Sequence, residues 1–164
     1  MFSISLFFLG ILLLIFAIKK NSGSTITKIT ENLYLSDYYS SLEYDKLHEL
    51  GIKQILTIGK ELPPHKAKYF KRKHIYLSDI PCENISKYFN ETYNFIEQDI
   101  TLVHCFAGIS RSSTIVIAYL MKKYKITYNQ AYEYVKNKRP IIMPNNGFTN
   151  QLLHYEEELY KPYI

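Results

Sequence analysis

Cysteine is scarce in this chain. Its 164 residues hold two, Cys82 and Cys105, and these lack both the close pairing of a zinc site and the numbers of a disulfide framework. Both scaffolds are thereby excluded, no metal or cofactor is expected, and a reducing compartment with reactive thiols is the reading that remains. Arginine is scarce as well, 3 against 17 lysines. Net charge is only +5, of which Lys19 and Lys20 supply two, so charge gives no nucleic-acid footprint. An acidic or phosphorylated partner is permitted by this balance and not required by it. Internal repeats and long low-complexity segments are also missing, and the length suits one domain with a real core plus a short extension. The hydrophobic and charged fractions, 47% and 21%, are ordinary for a globular chain.

Charge is absent altogether from Phe2 to Ile18, "FSISLFFLGILLLIFAI", which ends at Lys19-Lys20. The run stands at the short limit of what crosses a hydrocarbon core, and it lacks the basic start and small-residue cleavage site of a secretory signal. Residues 1–20 are expected to be a membrane anchor, with "NSGST" (21–25) a linker and 26–164 the globular domain. Lysines on the C-terminal side of the run place that domain in the cytosol, as a single-pass protein.

Beyond the linker, β-like and helical patterns alternate. Runs at 31–37, 52–59, 74–79 and 100–105 are predicted strands, and the last is apolar enough to be buried on both faces. Helices are predicted at 42–50, stopping at Gly51, at 85–98 with Ser86 near its start, and then at 111–124, 128–138 and 146–160. Strands alternating with helices argue an α/β sheet domain, whose ligand sites lie at the C-terminal ends of strands.

"LVHCFAGISRSST" (102–114) occupies that place. A buried strand ends at Cys105, the loop Phe106-Ala107-Gly108-Ile109-Ser110 follows, and a helix opens at Arg111. Such a loop turns backbone N–H groups inward beneath a positive helix N-terminus, which makes an anion cradle. Gly108 permits the tight turn, and the same field favours the thiolate of Cys105 as a nucleophile. Arg111 can grip two oxygens of a tetrahedral anion. Together they describe attack on phosphorus, with a phosphocysteine that water then removes. His104 would fix the cysteine backbone, and Ser112 would donate to the departing sulfur. A separate loop should supply an acid for the leaving oxygen; Asp79 in "YLSDIPCEN" fits best and Glu83 is the substitute. Cys82 lies in the same loop, either as a small buried residue or as a reversible disulfide partner for oxidised Cys105. The basic stretch "HKAKYFKRKH" (65–74) reads as a solvated face, with an anionic membrane or acidic peptide as its alternative use.

"HCFAGISRSST" closely resembles the signature of the cysteine-dependent dual-specificity protein phosphatases, a branch of the protein tyrosine phosphatase superfamily. The likeness continues through "RPIIMPNNGFTNQL" (139–152), and upstream through "ITENLYLSD" and "LHELGIKQILTI", covering roughly residues 26 to 160. The resemblance implies a central mixed sheet flanked by helices. It puts the nucleophile on Cys105, the phosphate-binding arginine on Arg111, the following hydroxyl on Ser112 and the general acid on Asp79. It implies phosphorylated protein substrates carrying phosphotyrosine or phosphoserine and phosphothreonine. Lipid-directed relatives place lysines inside the loop and this loop has none, although a membrane anchor would bring phosphoinositides close. A phosphate-binding scaffold without turnover is the other alternative.

Overall fold

Short apolar runs and the helices between them build one five-stranded sheet in the computed structural model, which describes residues 25–161. Strand β1 (Thr27–Thr30) pairs antiparallel with β2 (Leu33–Ser36) at one edge. β5 (Thr101–His104), β3 (Gln54–Ile58) and β4 (Lys71–Ile75) continue in parallel, giving the order β1-β2-β5-β3-β4. Every residue of β2, β3 and β5 is buried, as a parallel sheet covered on both faces requires. The expectation of an α/β domain with a mixed central sheet therefore holds.

Side-chain alternation sorts the core. On one face Tyr34, Ile55 and Leu102 stand side by side in register and pack with Leu47, Ile52 and Phe70 around helix α1 (Tyr44–Glu49). On the other face Leu35, Leu56 and Val103 meet the larger cluster beneath α2 (Phe89–Ile96), α3 (Arg111–Tyr124), α4 (Tyr128–Lys138) and α5 (Asn146–Tyr160). Helix α3 is buried from Arg111 through Met121, which explains why its sequence is apolar or small on every face. It ends where Lys125 turns left-handed, with φ 52°. α4 opens on a capping box between Thr127 and Gln130, and α5 on Asn145, whose side chain accepts from the Phe148 N–H at 3.0 Å.

Several sequence-based boundaries move. β1 was not expected; its hydrophobic signal is too short, since only Ile29 of its four residues is buried. The predicted third strand at 74–79 forms earlier, as β4, because Lys71 to Ile75 fall in register with Gln54 to Ile58. This releases 76–79 to carry Asp79 out of the sheet. The helices predicted at 42–50 and 85–98 each begin as a 3-10 turn, Ser40–Leu42 and Ser86–Tyr88, and shorten accordingly. The first does end at Gly51, at φ 74°. The "HKAKYFKRKH" stretch is a loop running into the edge strand β4, with His65 and Phe70 buried and the lysines largely turned outward. Segment 2–18 lies outside the described residues, and among those described no helix is long and apolar enough to cross a membrane.

Leu56, fully buried at the sheet centre, gives a direct check on this packing. Leu56→Ala is expected to cost about 2–5 kcal/mol, read as a lower urea midpoint at unchanged slope.

Candidate active site

β2, β3, β4 and β5 run parallel, so their C-terminal ends share one rim, and the chain leaves β5 there into residues 105–110. Those residues close around a sulfur because the surrounding elements take their carbonyls. The carbonyl of Phe106 accepts from the Tyr38 N–H at 3.0 Å, and that of Ile109 from the Met143 N–H at 2.9 Å. Arg139 Nε donates to the Gly108 carbonyl at 2.9 Å and Nη2 to that of Ala107 at 3.5 Å. The Ser110 carbonyl accepts from the N–H and hydroxyl of Thr114 and from the Ser113 hydroxyl. These bonds commit the loop oxygens to groups outside the loop, as a cradle for an anion needs. The Gly108 N–H sits 3.3 Å from Cys105 Sγ. Gly108 has φ 68°, and a Cβ there would meet the Ser36 carbonyl oxygen at 2.5 Å, so both torsion and space demand glycine.

The buried Cys105 sulfur receives a second donor, the Ser112 hydroxyl at 3.1 Å, where the sequence places it. His104 is fully buried in β5, and its Nδ1 lies 3.2 Å from the Cys105 carbonyl. A carbonyl can only accept, so Nδ1 carries the proton and Nε2, with one lone pair, is the acceptor that Thr57 Oγ1 and His65 Nε2, each at 2.8 Å, compete for. His65 Nδ1 in turn faces the Tyr44 hydroxyl at 3.2 Å. Burial holds both histidines neutral, aided by Arg72 and His74 at His65 and by His65 at His104; their pKa values fall to about 4 and about 3 respectively. His104 thus anchors the backbone of Cys105 without adding charge beneath the loop.

Arg111 opens α3, with its guanidinium buried at 6% exposure and paired to Glu61 by two bonds of 2.7 and 2.8 Å. Burial works against the cation, but the bonds to Glu61 and the charges of Cys105, Glu61 and Asp79 outweigh it and raise its pKa. For Glu61 burial acts upward, and the hydrogen bonds and charge of Arg111 overcome it, holding the carboxyl below the ordinary glutamate value.

Asp79 is brought to the same mouth. Its Oδ1 accepts from Ser110 Oγ at 2.7 Å and Asn145 Nδ2 at 2.9 Å, and its Oδ2 lies 3.5 Å from Arg111 Nε. The Ser110 hydroxyl latches the Asp79 loop to α3, and also accepts from the Asn145 N–H at 3.1 Å. Glu83 faces inward along its own loop, accepting from the Ser78 N–H at 3.3 Å, and is spent on loop shape. Cys82 is exposed and Cys105 buried, both free thiols, so the alternative of Cys82 as a small buried residue falls.

Three residues of this neighbourhood escaped the sequence reading: Glu61, Asn145 and Arg139. Arg139 is buried and reaches the Thr25 carbonyl at 2.7 Å as well as the loop; burial lowers its pKa against the charges of Asp37 and Cys105. A lone arginine among the lysines of "VKNKRP" was the available signal for it. Asn145 could be read as a helix cap after Pro144, but nothing near Glu61 in sequence marks it.

Fold and site together place a buried cysteine sulfur at the centre of a short loop, with a buried arginine at the head of the following helix and a carboxylate at the mouth. The sequence model of the family described as "Dual specificity phosphatase, catalytic domain" matches residues 33–158, and the chain belongs to that family. It is 39% identical over 135 residues to dual specificity protein phosphatase 1-B of Xenopus laevis, covering 79% of this chain and 37% of the relative. It is 43% identical over 134 residues to human dual specificity protein phosphatase 6, covering 77% and 35%. The chain thus spans little more than a third of the length of these curated relatives. Among solved structures, it is similar to the human tyrosine phosphatase-like serine/threonine/tyrosine-interacting protein, at TM-score 0.77 and 34% identity over 81% of this chain and 96% of the other.

The buried histidines make stability depend on pH. Unfolded histidine takes up a proton near pH 6.5, whereas His65 and His104 refuse it until about pH 4 and 3. Between those limits the unfolded chain binds more protons, so stability falls as pH drops from 7 to 5, by on the order of 2 kcal/mol per histidine. Urea midpoints at the two pH values should show the loss, and His65→Gln should reduce it by about half.

Proposed function

We propose that this protein hydrolyses phosphate monoesters on tyrosine and on serine or threonine of protein substrates, through a phosphocysteine on Cys105. The observation that carries the reading is the sulfur itself, buried at the loop centre with Gly108 N–H and Ser112 Oγ both directed at it. These donors are the right partners for a sulfur that is anionic before attack and anionic again when it leaves.

The substrate phosphoryl group settles in the cradle, two of its oxygens against Arg111 and the others against loop N–H groups. Cys105 Sγ attacks phosphorus in line as the bond to the ester oxygen breaks, and Asp79, protonated, gives its proton to that oxygen. The phosphocysteine then meets water, which loses a proton to the Asp79 carboxylate as it attacks phosphorus. The P–S bond breaks, inorganic phosphate forms and the Ser112 hydroxyl donates a hydrogen bond to the departing thiolate. Phe106, Ala107, Gly108 and Ile109 contribute backbone to this cradle, Ser110 keeps Asp79 in reach, and His104 keeps Cys105 in place. Residues 2–18 would hold the domain at a membrane, facing the cytosol, where protein substrates at that surface are within reach. The resemblance to the tyrosine phosphatase-like interacting protein favours one further reading, a module that binds a phosphorylated partner without turning it over.

Phosphate release by the full-length chain from peptides carrying phosphotyrosine or phosphothreonine tests the proposal. Release from both is expected, with none from Cys105→Ser and a fall of about 10²–10⁴-fold in kcat for Asp79→Asn. A folded wild-type protein that binds the peptides and releases nothing would establish the binding module instead. Release from phosphoinositides alone would reassign the substrate to lipid.

A further inference from the structure

The strands that build the site also decide where the chain enters the domain. β1 runs antiparallel to β2, with Thr27 opposite Leu35, so β1 begins at the same rim where the parallel strands end. Thr25 is fastened there. Its carbonyl accepts from Arg139 Nη1 at 2.7 Å and its N–H donates to Ser40 Oγ at 3.1 Å, while Arg139 Nε donates to the Gly108 carbonyl at 2.9 Å. One buried arginine thus joins the entering chain to the cradle loop. Upstream, residues 2–18 carry no charge and end at Lys19-Lys20. The stretch from Lys20 to Thr25 reaches at most about 18 Å. A domain of this size is roughly 35–40 Å across, so this tether keeps the rim, and not the far end of the sheet, close to whatever surface takes up residues 2–18.

The rim is also where apolar surface collects. Single exposed hydrophobic side chains are ordinary on any protein, whereas a cluster of them marks a contact surface. Six Phe, Leu, Ile or Met side chains stand exposed among the described residues, and four of them, Ile80, Phe106, Ile141 and Met143, belong to loops that meet at the cradle. Phe106 directly follows Cys105, and its ring lies edge-on to Tyr39 with centroids 6.2 Å apart. Ile141 and Met143 flank the buried Ile142, in the segment whose Met143 N–H holds the Ile109 carbonyl at 2.9 Å. Ile80 follows Asp79, whose carboxylate is bonded to Ser110 and Asn145. Hydrogen bonds therefore tie these loops together, and the four side chains border one opening.

We propose that this apolar rim docks on the headgroup layer of a lipid bilayer, so that the cradle opens toward the membrane. The proposal rests on the reading above that residues 2–18 are a membrane anchor, and its consequence for substrates rests on the phosphatase reading. Apolar side chains gain by entering the boundary between headgroups and acyl chains, and the short tether presents them there at high local concentration. An apolar segment of a soluble substrate could meet the same four residues, but it gives no reason for an uncharged run to join the domain beside them. Glu61 and Asp79 at the mouth oppose a strongly anionic surface, so zwitterionic lipid is the surface that fits. Phosphorylated residues in segments lying along the bilayer then reach Cys105, and those on domains standing far above it do not.

The chain has no tryptophan, so a single introduced indole reports its own surroundings. Met143→Trp puts it on the rim, at a side chain 68% exposed, and Tyr69→Trp puts it two residues ahead of β4, at the opposite end of the sheet, at a side chain 93% exposed. With the full-length chain reconstituted in phosphatidylcholine vesicles, Met143→Trp emission should shift to the blue and lose most of its intensity to phosphatidylcholine brominated high on its acyl chains. Tyr69→Trp should keep solvent-like, unquenched emission, and adding Ile141→Asp to Met143→Trp should reverse most of both changes. Solvent-like emission from both reporters, quenching of Tyr69→Trp alone, or a chain that washes off the vesicles in alkaline carbonate would each overturn the proposal. So would a blue shift that a soluble apolar phosphopeptide produces as fully as vesicles do, since that gives the rim to substrate. Fluorescence needs no turnover, which keeps failure of the phosphatase reading distinct from failure of this one. In a protein that does turn over, a phosphopeptide held to vesicle lipid by a short spacer should be hydrolysed at least as fast as one on a spacer longer than the domain. Hydrolysis confined to the long spacer would put the cradle on the side away from the bilayer and overturn the docking.

Discussion

The peptide oxygens of residues 106–110 must all face away from Cys105, and the rest of the site follows from that requirement. A short loop that wraps an anion has no carbonyl to spare for its own interior, because each inward oxygen would replace an attractive dipole with a repulsive one. Secondary structure cannot supply partners for five outward carbonyls in an irregular turn. They come instead from Tyr38 after β2, Arg139 at the end of α4, Met143 ahead of α5, and Ser113 and Thr114 in the first turn of α3. The cradle is therefore a property of the assembled domain, although its residues are consecutive.

The same economy governs charge beneath the loop. Arg111 and Arg139 are both buried cations, an arrangement that is costly unless each finds anions or carbonyls in good geometry. Arg111 has Glu61 at bonding distance and Asp79 and Cys105 near it; Arg139 relies on carbonyls, with Asp37 and Cys105 at longer range. Adding imidazolium at His104 would place a third cation in the same volume. The neutral pair His65 and His104, bonded head to head and backed by the Tyr44 hydroxyl, holds the strand end rigid without that cost. Here a polar network fixes geometry and leaves the field at the sulfur to the arginines and the loop dipoles.

Much of this was legible along the chain. An apolar strand, a small-residue loop and an apolar helix in succession pointed to Cys105, Arg111 and Ser112, because neighbours in sequence are neighbours at a loop. The α/β class showed in the alternation of patterns, and α3, α4 and α5 lie where their periodicity put them. Strand β1 and the start of β4 were not legible. One buries a single side chain, and the other is mostly exposed at the sheet edge, so neither carries an apolar signal; register with a neighbouring strand defines both. The side-chain role of Ser110 was not legible for a related reason. Its position in the loop speaks only for its backbone, whereas its hydroxyl bonds to Asp79 and Asn145, 31 and 35 residues away.

What the sequence determined by itself is local: the strand–loop–helix that places thiol and guanidinium on one cradle, the glycine its torsion demands, and an aspartate at the end of a β run. Those depend on contacts a few residues apart, where backbone geometry leaves little choice. The tertiary structure alone decided which groups hold that cradle in shape: Glu61 across the fork of Arg111, Arg139 under the loop carbonyls, His65 against His104, and Asn145 steadying Asp79. Each joins segments 31 or more residues apart through a directional bond. Hydrogen bonds of this kind leave no periodicity in a sequence, since they depend on where two side-chain atoms meet and not on how often a residue type recurs.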